Sequence, residues 1–318
     1  MTTPKYRNLL PQLSGRRMLT DSGLETTLIY LEGIDLPCFA SFQLFASETG
    51  RATLRRYFDR HAELAVSRGV GFIADTPTWR ANRDWGALLG FDERALARIN
   101  RAAVAMMFAV RDAWQQPGAP IVVSGNLGPR GDGYAPDRVM AANEAEDYHT
   151  AQVRLLAEAG VDMVTDMTMT HSGEAIGIAR AAAAAGVPVS MGLTVETDGR
   201  LPTGQPLSDA IAEIDASGAP PAYYMINCAH PEHFRHVLAA GEAWRTRIRA
   251  VRANASRLSH AELDAATELD PGDPVGLADD HAELLALLPN LCVFGGCCGT
   301  DHRHIAAIAD ACEARVGA

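Results

Sequence analysis

Eight short apolar runs recur along this chain, and their spacing restricts the fold more than any other feature. They are RMLTDSG (17–23), VGFIADT (70–76), PIVVSGN (120–126), VDMVTDM (161–167), VPVSMGLTV (187–195), AYYMINC (222–228), IRAVRAN (248–254) and LCVFGG (291–296). Each is too short for a buried helix, and each ends in polar or glycine residues, as a strand does. Near-continuous apolar strands belong to parallel sheets covered on both faces. Between them lie amphipathic stretches. In 51–68, Leu54, Tyr57, Phe58, His61 and Leu64 share a helical face; in 92–114, Leu96, Ile99, Ala103, Met106 and Val110 do so. Residues 143–159, 172–186, 207–217, 231–240, 277–288 and 301–315 also read as helices, and Gly160, Gly186 and Gly218 stop three of them.

Such alternation is compatible with an open doubly wound sheet or with a closed (β/α)8 barrel. The count of eight favours the barrel, as does the lack of a glycine-rich dinucleotide fingerprint after the first run. The expected fold is therefore an α/β TIM barrel, with one domain over residues 1–318 and no Pro-, Gly- or Ser-rich linker. Residues 254–276 are polar and acidic and are expected to form a partly helical surface excursion in the seventh repeat. The arginines and acids of 242–270 are expected on an exposed face.

Bulk properties narrow the function. With 318 residues, 47% of them hydrophobic, the chain can bury a sizeable core. A net charge of −11 offers no basic surplus for nucleic acid or an anionic membrane. No apolar run is long enough to span a bilayer, and the N-terminal residues lack the apolar core of a signal peptide. The expectation is a cytoplasmic protein, monomeric or a small homo-oligomer, that acts on small molecules. Six cysteines in a chain of this length do not make a disulfide framework. Cys38, Cys292 and Cys312 read as inert thiols.

In a barrel, functional groups collect where strands end. Those ends supply Asp21, Glu25, Thr76, Asn126, Asp166, Thr194, Glu196, Asn227, Cys228, Asn254, Cys297 and Cys298. Cys228 after the sixth strand thus shares a rim with Cys297 and Cys298 after the eighth. Three thiolates suit Zn2+, and three protein ligands leave a fourth position for substrate, the catalytic pattern. The glycines of GGCCGT let adjacent side chains reach one ion. Three thiolates donate heavily, which weakens the ion as an activator of water. A bound thiol still loses its proton, and its sulfur stays nucleophilic. Attack on a methyl group carried by a cationic sulfonium or ammonium donor fits these electrostatics, because opposite charges cancel in the transition state. A structural zinc barrel is the non-enzymatic alternative, with a histidine such as His230 or His302 closing the fourth position.

At these residues the chain resembles the homocysteine S-methyltransferase family. The resemblance is carried by TDSGLETTL (20–28), VSGNLGPRGDGY (123–134), GLTVETDGRLPTGQPL (192–207), INCAHPE (226–232) and GGCCGT (295–300), and most specifically by INC paired with GGCCG. It implies zinc ligation by Cys228, Cys297 and Cys298, which are also the catalytic residues. It implies that Asp21 binds the amino-acid substrate, with the backbone at Ser22 and Gly23 meeting its carboxylate. Methionine would be the product. The chain departs from the family twice. Ser22 stands where Gly is usual, and Asp166 is matched to a glutamate after strand four that helps hold the substrate ammonium. Another thiol or selenol acceptor thus stays open beside homocysteine. No cobalamin or folate module follows the eighth helix, which favours S-methylmethionine or S-adenosylmethionine as donor, with betaine-like donors open.

The remaining polar residues have plainer readings. Glu25 is either at the mouth or a solvated loop charge, and Asn126 and Asn227 either orient substrate or are satisfied strand-end amides. His171 and His230 read as exposed loop histidines, and His302 and His304 as solvated or supporting groups. The DGRLPTGQPL loop is a candidate wall of the donor side, with Gly204 and Pro206 fixing its turn.

Overall fold

The computed structural model describes residues 3–136 and 138–316. Eight parallel strands close into a ring: β1 (Met18–Leu19), β2 (Gly71–Asp75), β3 (Ile121–Leu127), β4 (Met163–Met169), β5 (Val189–Leu193), β6 (Tyr223–Asn227), β7 (Ile248–Ala253) and β8 (Val293–Gly296). Each pairs with its neighbours in chain order, and β1 pairs with both β2 and β8. A helix follows every strand: α1 (Glu48–Ser67), α2 (Glu93–Trp114), α3 (Ala142–Ala159), α4 (Ser172–Ala184), α5 (Leu207–Asp215), α6 (Pro231–Leu238), α7 (Pro274–Leu287) and α8 (His302–Val316). This is the (β/α)8 barrel expected from the eight apolar runs.

The period of two along each strand divides the core into two layers. Met18, Ile73, Val122, Met163, Met167, Met225, Ala250 and Val293 fill the barrel interior. Leu19, Ala74, Val123, Val164, Met191, Val251 and Phe294 face the helices in a larger layer that includes Leu54, Phe58, Met107 and Leu156. Local signals start and stop the helices. Ser47 and Asp92 accept from backbone amides three residues on, and Gly160 ends α3 at φ 97°. Such caps contribute about 1 kcal/mol each.

The same alternation places the polar residues that matter. Arg252 has the parity of Ala250, and Asp75 that of Ile73, so both project inward near the C-terminal end of the ring. Asp166 has the parity of Val164 and is buried toward the helices, whereas Met167 points inward. The 254–276 segment contains a short helix, His260–Ala265, opened by a capping box from Ser259 and Glu262. Its partial helicity is as expected, but it is more than a surface excursion. Ala255, Ser256 and His260 are buried, and the segment folds over the mouth of the barrel.

Candidate active site

The three rim cysteines converge. Cys228 Sγ lies 2.7 Å from Cys297 Sγ and 3.8 Å from Cys298 Sγ, and all three sulfurs fall within 4.8 Å of one another. Two tight backbone features bring them there. Cys228, directly after β6, takes a left-handed φ of 57°, unusual for a residue with a Cβ. Its amide donates to the Arg252 carbonyl at 3.0 Å, and its carbonyl accepts from Asn254 Nδ2 at 3.0 Å and His260 Nε2 at 2.7 Å. After β8, Thr300 Oγ1 occupies the space a Cβ on Gly296 would need, and Gly299 turns at φ 80°. Gly23 packs against the Cys297 carbonyl with no room for a side chain.

Without a metal, the three thiols share protons. Cys297 is held well below the usual thiol range by hydrogen bonds from Cys228 and Cys298, while that donation and burial push Cys228 and Cys298 up. A dication would replace those shared protons. Tetrahedral Zn–S bonds of about 2.3 Å set sulfurs about 3.8 Å apart; the Cys228–Cys298 pair has that spacing, and the Cys228–Cys297 pair would open by about 1 Å. The donor set therefore fits a soft, tetrahedral ion such as zinc. Tyr134 stands over it, its hydroxyl 3.4 Å from Cys228 Sγ and 3.5 Å from Cys298 Sγ. The Tyr134 ring stacks on His260 at 3.9 Å, and His260 Nδ1 lies 2.9 Å from Glu196 Oε1.

Below the sulfurs, a buried arginine joins two acids. Arg252 Nη2 donates to Asp21 at 2.6 Å, Nη1 to Asp75 at 2.9 Å and Nε to the Gly296 carbonyl at 3.1 Å. Burial alone would lower the Arg252 pKa, but Asp21 and Asp75 outweigh it and raise it. Burial pushes the Asp75 carboxyl up to about 6, against the pull of Arg252. Removing one partner of such a group leaves an uncompensated buried charge and costs about 3–5 kcal/mol. Tyr57 donates to the other Asp21 oxygen at 3.3 Å.

Two cavities meet at the cysteines. An inner one of about 70 Å³ reaches Asp21, Glu25, Asp75, Asn126, Met167, Arg252 and Cys297. An outer one of about 240 Å³ is walled by Tyr30, Phe39, Arg80, Asp132, Tyr134 and the 256–270 part of the seventh connection. Cys228, Cys298, Trp79, Phe39, Thr26 and Thr168 line both. Half-buried Glu25 lines the inner cavity, accepts from Ser41 at 2.6 Å, and is pushed by burial to about 7.

Of the residues singled out in the sequence, Asp21, Ser22 and Gly23 line the inner cavity with the cysteines. The amides named for a substrate carboxylate are engaged within the chain: Ser22 N–H with Tyr57 Oη and Gly23 N–H with Thr300. Ser22 Oγ also bonds Tyr57 Oη and His61 Nε2. Asp166 is not among the residues lining either cavity. It is fully buried, both its carboxylate oxygens lack a partner among the described residues, and burial, reinforced by Glu174 on α4, raises its pKa well above the usual range. Met167 faces the inner cavity by the regular alternation of β4, and an irregularity between Asp166 and Met169, with Thr168 at φ 68°, brings Thr168 there as well.

Several plainer readings are corrected. Arg252 is buried rather than on an exposed face, because its parity on β7 is inward. His171, His230 and His304 are also buried. His171 accepts from the Met140 amide, His230 caps α6, and His304 joins Asp301 and the Pro271 carbonyl. The 196–206 loop lines neither cavity and reaches the site only through Glu196 on His260. Tyr134, Asp75, Arg80 and His260 were not identified as site residues. Inward parity signals Asp75 and Arg252; Tyr134 closes the VSGNLGPRGDGY run, and Arg80 and His260 come from the connections after β2 and β7.

Among the described residues, no helix is long and apolar enough to cross a membrane. The family profile described as homocysteine S-methyltransferase matches residues 18–312. No curated protein matches the sequence. Among solved structures, the chain is similar to the homocysteine methyltransferase MmuM from Escherichia coli. Its oxidized form gives a TM-score of 0.69 at 20% identity, covering 96% of this chain and 98% of that one. Its metallated form gives 0.67 at 20% identity, covering 95% and 99%. At that identity the likeness shows the shared barrel, while the profile match spans nearly every strand and helix. The chain belongs to the homocysteine S-methyltransferase family and is a methyltransferase.

Proposed function

We propose that this enzyme transfers a methyl group from a sulfonium donor to the thiolate of homocysteine, with Zn2+ held by Cys228, Cys297 and Cys298. The observation that carries the reading is the pair of cavities with Cys228 and Cys298 in their common wall. One side receives the thiol and the other the donor, so the nucleophile and the methyl carbon meet beside the sulfurs. When bound, zinc supplies the positive charge that keeps the acceptor sulfur deprotonated at neutral pH. Glu25, at about 7, is the inner-cavity carboxylate suited to take the thiol proton. Asp21, fixed by Arg252 and Tyr57, offers its carboxylate to the acceptor's ammonium. The carbon–sulfur bond of the donor breaks, its electron pair stays on the donor sulfur as a thioether, and a new bond joins the methyl carbon to the acceptor sulfur. Tyr134 and the 256–270 segment cover the meeting point and exclude water.

A second reading keeps the zinc and the donor and changes the thiol. It is favoured by Met167, which stands in the inner cavity on β4 where a carboxylate for the acceptor ammonium is expected. Zinc-loaded protein incubated with homocysteine and S-methylmethionine is expected to yield methionine by mass spectrometry, and a chelator or C298S to abolish it. Product with another thiol but not with homocysteine would select the second reading. No product from any sulfonium or betaine donor, with any thiol, would sink both.

A further inference from the structure

We propose that Arg80 is the specificity-determining residue that holds the carboxylate of the methyl donor in the outer cavity. The inference rests on the methyl-transfer reading above and assigns a residue to the donor side of that site.

Arg80 lies in the loop after β2 and follows Trp79, which belongs to the wall shared by the two cavities. Its guanidinium lies 3.7 Å from the centre of the Trp85 ring and 4.7 Å from that of Trp79. Its side chain is only 10% exposed. Stacking satisfies the faces of a guanidinium but not its edges, where five N–H groups need acceptors. Among the described residues, Nε is shielded and has no hydrogen-bond partner. The ion partner is Asp132, at a loose 3.5 Å from Nη2. Asp132 cannot turn freely toward it, because its Oδ1 already accepts from the amides of Tyr134 at 2.8 Å and Ala135 at 3.1 Å. A buried cation left this short of acceptors is costly unless something else arrives to meet it.

What arrives must be planar, anionic and small enough for the cavity, and a carboxylate matches the guanidinium fork. The seventh connection contributes Asp264, Glu268 and Asp270 to the lining of the same cavity. Those acids, with the aromatic faces of Phe39 and Tyr134, suit the cationic part of the same molecule. The cavity therefore sets one guanidinium among acidic and aromatic lining residues, complementary to a molecule that carries a carboxylate together with cationic groups. Arg80 is a specificity-determining residue on this account, and a role confined to pinning the 130–135 loop through Asp132 makes a different prediction.

The test compares S-methylmethionine with its carboxamide, which keeps the sulfonium and the ammonium but loses the anion. In the zinc-loaded enzyme, kcat/KM for the acid should exceed that for the amide by about 10- to 100-fold, the usual worth of a hydrogen-bonded charge. R80M should collapse this ratio toward one through the donor KM, leave the KM of the thiol unchanged, and R80K should recover part of it. A loop-pinning role would depress both donors alike and preserve the ratio. Quenching of tryptophan fluorescence reads the same preference without turnover, since Trp79 and Trp85 flank the guanidinium. Equal handling of acid and amide by the wild type, or an unchanged ratio in R80M, overturns the assignment. If neither compound is turned over but quenching still favours the acid in the wild type and not in R80M, the methyl-transfer reading fails and the Arg80 assignment stands.

Discussion

At the residue scale, this protein buries ionisable groups in two ways. Arg252 is satisfied on three sides, by Asp21, Asp75 and a carbonyl. His281 on α7 shows the other. Its Nδ1 donates to the Leu277 carbonyl at 2.8 Å, and its Nε2 is buried with no partner among the described residues. Burial depresses its pKa from 6.5 to about 4. Below pH 6.5 the unfolded chain takes up a proton that the folded chain refuses, so stability is full above that pH and is lost progressively down to about 4. H281L should stabilise or leave unchanged the protein at pH 7 and remove on the order of 3 kcal/mol of the acid-side loss, read from urea melts at pH 7 and 4.5. An unchanged pH profile in H281L would refute this. His61, depressed to about 4, and His230, to about 3, contribute loss of the same sign.

Legibility at this scale depended on where a residue sits. Cys228, Cys297 and Cys298 could be brought together from strand order alone, because a barrel delivers every strand end to one rim. Asp166 could not be oriented so simply. A single step of parity separates it from inward-facing Met167, and the irregularity in β4 that brings Thr168 to the same cavity has no signature in the residues of TDMTMT. Arg252 sits in an arginine-rich stretch that resembles a solvated face by composition, yet it shares inward parity with Ala250. Alternation was the more informative signal there than charge.

At the element scale, the connection between β7 and α7 shapes the site as much as the strands do. The short helix His260–Ala265 begins at a residue that touches three parts of the rim at once. His260 bonds the Cys228 carbonyl, faces Glu196 and stacks on Tyr134. It holds a left-handed cysteine in place from outside the thiol cluster. H260A should leave the barrel folded and weaken zinc retention by about 10- to 100-fold, as loss of a supporting hydrogen bond commonly does. Competition with a chromophoric chelator measures this, and wild-type retention would contradict it. Sequence reading found the partial helicity of this segment but not its position over the mouth. Its polar composition is that of a loop, and only the fold shows which loop residues turn inward.

At the scale of the whole molecule, the barrel has its own two-layered core, and the three cysteines sit at its rim rather than within it. Metal and fold are therefore separable. Chelation should abolish methyl transfer while the far-ultraviolet circular dichroism stays native, with the melting temperature falling by only a few degrees as the linkage to bound ion is lost. Wholesale unfolding on chelation would instead mark the ion as a structural staple. The eight-fold alternation made this architecture readable in full, since both its count and its period are written in apolar residues.

The ring closes where β1 meets β8, and Asp21 and Cys297 stand on either side of that seam. On the ribosome, Cys228 is synthesised well before its two partners, and Asp21 long before any of them. The ring closes and the thiol cluster is completed at the same point of the chain, so a protein truncated before β8 lacks both the closing strand and two of the three sulfurs.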